Sequence, residues 1–179
     1  MEEDLKTMDD SYAAMRERYG VESTPDRRMG KYGPISENQK PDFFDLRTQL
    51  VSEGRNIKPL AETDNLWAWI KVYATGGENT LHGHKNEDHM FIVLSGEATF
   101  IGPEGEKKVC GPNQGIMLPA ATLYSFCCTS EDPLVLLRVG AQAGDGDLRD
   151  RVDENGDPLP GGSKKNKFKP PVYSDQYFG

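Results

Sequence analysis

Residues 76–100 read GGENTLHGHKNEDHMFIVLSGEATF, and this stretch holds every histidine of the chain: His82, His84 and His89. One residue separates the first two, so on an extended strand both imidazoles leave the same face and can reach one ion. Lys85 to Asp88 reads as a short polar turn, after which a strand begins at His89 and runs through Met90–Ser95 to Gly96. A hairpin over this stretch returns a third imidazole beside the first two. The expectation is a mononuclear metal site on His82, His84 and His89.

Outward from this hairpin, short β-favouring runs occupy Leu66 to Ala74, Met90 to Phe100, Gly115 to Leu118, Tyr124 to Thr129 and Leu134 to Val139. Gly76-Gly77, Gly102-Pro103, Gly105 and Gly111-Pro112 punctuate them. Close spacing without helical periodicity between the runs predicts an all-β domain, an antiparallel sandwich or barrel. Its core covers residues 66–141. Before it, residues 1–65 read as an N-terminal amphipathic helix, with Leu5, Met8, Tyr12, Met15 and Tyr19 at helical steps, followed by an extended connector. After it, residues 142–179 read as a polar C-terminal arm, whose Val172, Tyr173, Tyr177 and Phe178 are candidates to anchor it on the barrel or on a partner.

The 179 residues and 19.9 kDa suit one domain with peripheral arms. A formal charge of -8 leaves no overall basic footprint for nucleic acid. No apolar stretch approaches the roughly 18 residues that cross a bilayer, and the N-terminus lacks the basic and apolar regions of a signal peptide. Three cysteines, with Cys127 and Cys128 adjacent, do not form a disulfide framework, so a cytoplasmic address is expected.

With Gly76, His82, His84 and Gly96 in register, the stretch resembles the first motif of the cupin superfamily, G-x5-H-x-H-x3,4-E-x6-G. Counting back from Gly96, the family's glutamate ligand falls on His89; placing Glu87 or Asp88 there breaks the spacing. The second motif, G-x5-P-x-G-x2-H-x3-N, resembles NQGIMLPAATLYSF in degraded form. Pro119 keeps the family proline, Ala121 stands for its glycine and Tyr124 for its histidine ligand.

The resemblance implies a jelly-roll barrel holding one divalent transition ion, Fe(II) first, with Zn, Ni, Mn or Cu also suited to imidazole. It implies an enzyme acting on a small anionic or oxygen-rich molecule, first an Fe(II)-dependent dioxygenase. The alternatives are a Lewis-acid lyase, isomerase or cyclase, and a non-catalytic ligand-binding barrel. Three neutral imidazoles leave the ion's charge uncompensated, which favours an anionic ligand.

Tyr124 has three readings: tyrosinate ligand, acid/base group, or packed barrel aromatic. Arg138, inside the apolar run Leu134 to Val139, reads either as a clamp for a substrate carboxylate or as one side of a salt bridge. Phe91, Val93, Phe126 and Cys128 share the parity of His89 or Tyr124 and are expected as apolar walls of the pocket. The opposite face, Met90, Ile92 and Leu94, is also apolar and needs a second cover. A homodimer partner or a swapped arm is expected to supply it. A small-molecule substrate is the other expected partner, with neither nucleic acid nor membrane.

Overall fold

The computed structural model describes residues 40–74, 79–144 and 151–179. The chain divides into two compact units at Pro41, and the second, Asp42–Gly179, is the subject here. The expected N-terminal helix, nearly all of the connector, and Gly76 lie outside the described residues.

Among the described residues twelve strands follow one another: β1 Thr48–Glu53, β2 Arg55–Glu62, β3 Leu66–Tyr73, β4 Gly83–His84, β5 Glu87–Ser95, β6 Ala98–Ile101, β7 Lys107–Cys110, β8 Gly115–Leu118, β9 Ser125–Cys128, β10 Leu134–Gln142, β11 Arg151–Val152 and β12 Val172–Phe178. A five-stranded sheet has the order β2-β3-β10-β5-β8, and a three-stranded sheet the order β7-β6-β9. The pairs β1-β12 and β11-β4 complete the set, and every pairing is antiparallel. This is a jelly-roll barrel, with almost no helix among the described residues. Among the described residues no helix is long and apolar enough to cross a membrane.

Two apolar clusters follow from the alternation of side chains along β3, β5 and β10. Inside the barrel, Tyr73, Phe91, Val93, Phe126, Leu134 and Leu136 pack together with Tyr124. Burying a Phe or Leu to this degree stabilises by about 1.5–3 kcal/mol per side chain. On the opposite face of the five-stranded sheet, Ile70, Val72 and Val135 meet Val51 from β1, with Leu94 and Phe178 packed against them. Strands β1 and β12 of this chain thus cover Leu94, while Met90 and Ile92 on the same face of β5 are half-buried outside that cluster. Of the four anchor candidates, Phe178 packs against that cluster, while Val172, Tyr173 and Tyr177 stay about half exposed on β12.

Among the described residues strand formation begins at Thr48, not at Leu66 as the sequence pattern suggested, so β1 and β2 belong to the sheets rather than to a connector. The reason lies in the edge position of β2. Its Pro59 cannot donate a ladder hydrogen bond and is tolerated only at an edge, and a register shift follows it. The run expected over Met90–Phe100 is likewise broken by Gly96, whose φ of 75° turns the chain from β5 into β6. A Cβ there would stand 2.9 Å from Leu134 Cα and from the Pro133 carbonyl oxygen, so only glycine fits.

Candidate metal centre

Three short pieces of backbone position the histidines. Backbone hydrogen bonds join His82 and Tyr124 in both directions, at 3.0 and 2.9 Å, so the two face each other across an isolated bridge. His84 ends β4, and His89 lies in β5 opposite Leu118 of β8. The turn is only Lys85-Asn86, so β5 starts at Glu87 rather than at His89. Glu87, His89 and Phe91 therefore share the inward parity, and all three are buried.

The imidazoles cluster, with ring centres 5.4 Å apart for His82 and His84 and 5.1 Å for His84 and His89. An imidazole bound through one nitrogen at about 2.1 Å has its ring centre about 3 Å from the ion, so two rings on one ion stand roughly 5 Å apart. The spacing fits a shared ion. Among the described residues, however, no three His, Cys, Asp or Glu side chains already converge on one point, so closing on an ion requires side-chain rotation.

The surroundings of Nδ1 decide the tautomers. His82 Nδ1 lies 2.7 Å from the Thr80 carbonyl oxygen, which can only accept, so Nδ1 carries the proton and Nε2 the lone pair. His84 Nδ1 and His89 Nδ1 lie 3.5 and 3.4 Å from the two oxygens of Glu87. Both nitrogens lack a hydrogen-bond partner at these distances. The nearby carboxylate still favours a proton on each, again leaving Nε2 as the donor. An oxygen acceptor behind Nδ1 is the arrangement that metal-binding imidazoles use to fix orientation and basicity. Burial first, then Arg151, holds the pKa of His82 down to about 2. Burial and Arg138 push His89 down to about 3 and depress His84 as well. All three are neutral, as ligation requires. The donor set fits a divalent transition ion.

Glu87, set aside as a ligand by its spacing to Gly96, faces the cluster in a role that the sequence reading did not foresee. It lay in a polar run that reads as turn, and the parity that would have found it became usable only once β5 was known to start there. Arg138 Nη2 pairs with Glu87 Oε1, and both side chains are about 4% exposed. Burial pushes the Glu87 carboxyl up, and the guanidinium opposes that rise. Of the two readings of Arg138, the structure displays the salt bridge. Asp88 points outward and accepts from the Ala120 backbone N–H at 2.7 Å.

Tyr124 sits at the heart of the cluster, its ring centre 4.5 Å from that of His82 and 5.3 Å from that of His89. Its hydroxyl is 3.1 Å from His89 Nε2; with the His89 proton on Nδ1, the phenol donates. Burial raises its pKa above the ordinary phenol value, and Arg138 opposes that rise. Phe91, Phe126 and Cys128 line the interior as the parity indicated, and none of the three cysteines is in a disulfide. Ala121 adopts φ of 65°, a left-handed conformation suited to the glycine it replaces, and its N–H donates to the His84 carbonyl at 2.7 Å.

A search of the curated proteins gives no match. Similar solved structures include an uncharacterized conserved protein with a double-stranded beta-helix domain from Klebsiella pneumoniae, at 17% identity and TM-score 0.47, covering 52% of this chain and 81% of that one. The Cnp3 cupin domain of Schizosaccharomyces pombe is 14% identical, TM-score 0.47, over 51% of this chain and 67% of that one. KdgF from Halomonas sp. is 25% identical, TM-score 0.46, over 53% and 84%. Residues 69–140, a span that takes in all three histidines and Tyr124, match the family model described as a cupin domain.

Proposed function

We propose that this chain is a metal-dependent cupin enzyme that holds one divalent transition ion on His82, His84 and His89 and acts on a small anionic or oxygen-rich organic molecule. One observation carries the reading: three clustered imidazoles, those of His82 and His89 buried and that of His84 partly so, are kept neutral, each with an oxygen acceptor near Nδ1 and therefore with Nε2 as the lone-pair donor. When bound, the ion supplies Lewis acidity toward substrate oxygens and, if ferrous, a position for O2. In this reading Glu87 faces two imidazoles, Arg138 holds Glu87, and the walls formed by Phe91, Leu118 and Phe126 keep bulk water away. Tyr124 holds a proton at its hydroxyl oxygen, available to a negative charge developing on the substrate.

Two chemistries use these parts. Fe(II)-dependent dioxygenation rests on the all-imidazole donor set. Proton transfer in a lyase, isomerase or cyclase, with Zn, Ni, Mn or Fe(II) as Lewis acid, is favoured by the placement of Tyr124 and is the reading carried forward. The test loads the protein with Fe(II), Zn, Ni or Mn and screens β-diketones, hydroxy acids and catechols with and without O2. Turnover in the absence of O2 is the expected result. Iron-restricted, substrate-dependent O2 uptake would instead establish dioxygenation, and absence of both turnover and stoichiometric metal would leave a ligand-binding barrel.

A further inference from the structure

Beside the histidine cluster, a cavity of about 260 Å³ is bounded by Arg55, Lys71, Tyr73, Asn79, Arg151 and Phe168 among others. Three of its walls are cationic and none is a carboxylate. Arg55 and Lys71 are buried and Arg151 is half-buried. Among the described residues none of the three takes part in an ion pair; the buried carboxylate nearby, Glu87, pairs with Arg138. Arg55 is fixed by Asn79 Oδ1 and the Gly161 carbonyl, with its guanidinium 5.2 Å from the centre of the Phe168 ring. Arg151 Nη2 donates to Asn166 Oδ1 at 2.6 Å, while its Nε is buried without a partner. Lys71 projects from β3 past Phe91 and Trp69, its Nζ 5.7 and 5.8 Å from their ring centres.

Three like charges gathered in a partly desolvated space repel one another and, among the described residues, lack the opposite charge that normally accompanies buried cations. Burial first, then Arg138 and Arg151, holds Lys71 well below the ordinary lysine range, as expected of a cation without a counter-charge. The repulsion is not accidental crowding of flexible surface chains. Asn166, fully buried, accepts from Arg151 and Thr80 and donates to the Gly161 carbonyl at 2.7 Å, so the C-terminal arm is latched as a wall of this cavity. Gly54, with φ of 70°, lets the arm cross: a Cβ there would meet the Pro170 carbonyl oxygen at 2.4 Å.

We propose that this cavity is a built site for a compact oxyanion, the carboxylate or phosphate end of a small molecule, held by Arg55, Lys71 and Arg151. Guanidinium groups supply forked donors and the ammonium a point charge, and Phe168 and Ile57 cover an adjoining apolar part. Arg151 pairs directly with His84 in the β4-β11 ladder, so the oxyanion site adjoins the candidate metal centre. Identification of this anion as the acidic end of the substrate rests on the function proposed above; the site itself does not.

The test is calorimetric titration of the full chain, metal content measured, with inorganic phosphate and with succinate at matched ionic strength. Saturable binding of either probe is expected, and which probe binds more tightly distinguishes phosphate from carboxylate ends. Lys71→Met and Arg151→Gln, each checked for fold by circular dichroism, should weaken it roughly ten- to hundredfold, while Lys108→Ala on exposed β7 leaves it unchanged. No saturable binding of either probe, or binding that persists undiminished in both folded variants, would overturn the proposal. The readout requires neither metal nor turnover, so its failure and the failure of the metal reading are separately visible.

Discussion

Replacing Arg138 with Leu is expected to lower stability by about 3–5 kcal/mol, because it leaves the Glu87 carboxyl buried without its partner. In a domain of this size that corresponds to a fall in Tm of roughly 10 °C. The mechanism is removal of a compensating charge rather than creation of a hole, since Leu retains much of the packing against Trp69 and Phe91 that the guanidinium now makes. Converting Glu87 to Gln as well should recover much of the loss, and the double-mutant cycle reads the coupling directly. A single-variant loss below about 1 kcal/mol would mean that the pair contributes nothing beyond an ordinary surface contact. The same variant should loosen the orientation of His84 and His89, whose Nδ1 atoms face the Glu87 carboxylate.

Tyr124→Phe removes one oxygen and keeps a ring packed against Phe91 and Phe126. With Tyr124 as the proton donor, the variant should keep its fold and its metal yet lose on the order of 10²–10⁴ in turnover, the span of general acid–base catalysis. KM should change little, because the phenol acts on charge that develops in the transition state. The hydrogen bond to His89 Nε2 makes a second readout available: its loss should alter the titration of the imidazole in the metal-free protein. Wild-type turnover in Tyr124→Phe with metal intact would return Tyr124 to the role of a packed aromatic. Loss of metal in the variant would indicate ligation instead.

The sequence made the centre of the barrel legible for a local reason. An H-x-H pair has a defined consequence on a strand and Gly96 marks the next bend, so the hairpin brought His89 back, parity from it assigned Phe91 to the interior, and Tyr124 came from the resemblance of the second motif. Glu87 escaped because polar residues after a turn look alike until the first paired residue is known. The edge strands escaped for another reason: β2 alternates Lys58 with Pro59, and its pattern is shaped by an edge and by the charged cavity rather than by a uniform apolar face. Arg55, Lys71 and Arg151 meet only through the folding of β2 against β3 and the return of the C-terminal segment, which no spacing rule anticipates. The degraded second motif carried its own message, since Ala121 keeps the left-handed backbone of the glycine it replaces and the turn beside His84 survives.

The central claim is that His82, His84 and His89 together hold one ion, and it is tested most directly by metal analysis of protein purified without chelators. The expected result is one divalent transition ion per wild-type chain and severe loss in each of His82→Ala, His84→Ala and His89→Ala, because three protein ligands leave none to spare. Retention of stoichiometric metal by His89→Ala together with its loss in Glu87→Ala would contradict the account and make the carboxylate the third ligand.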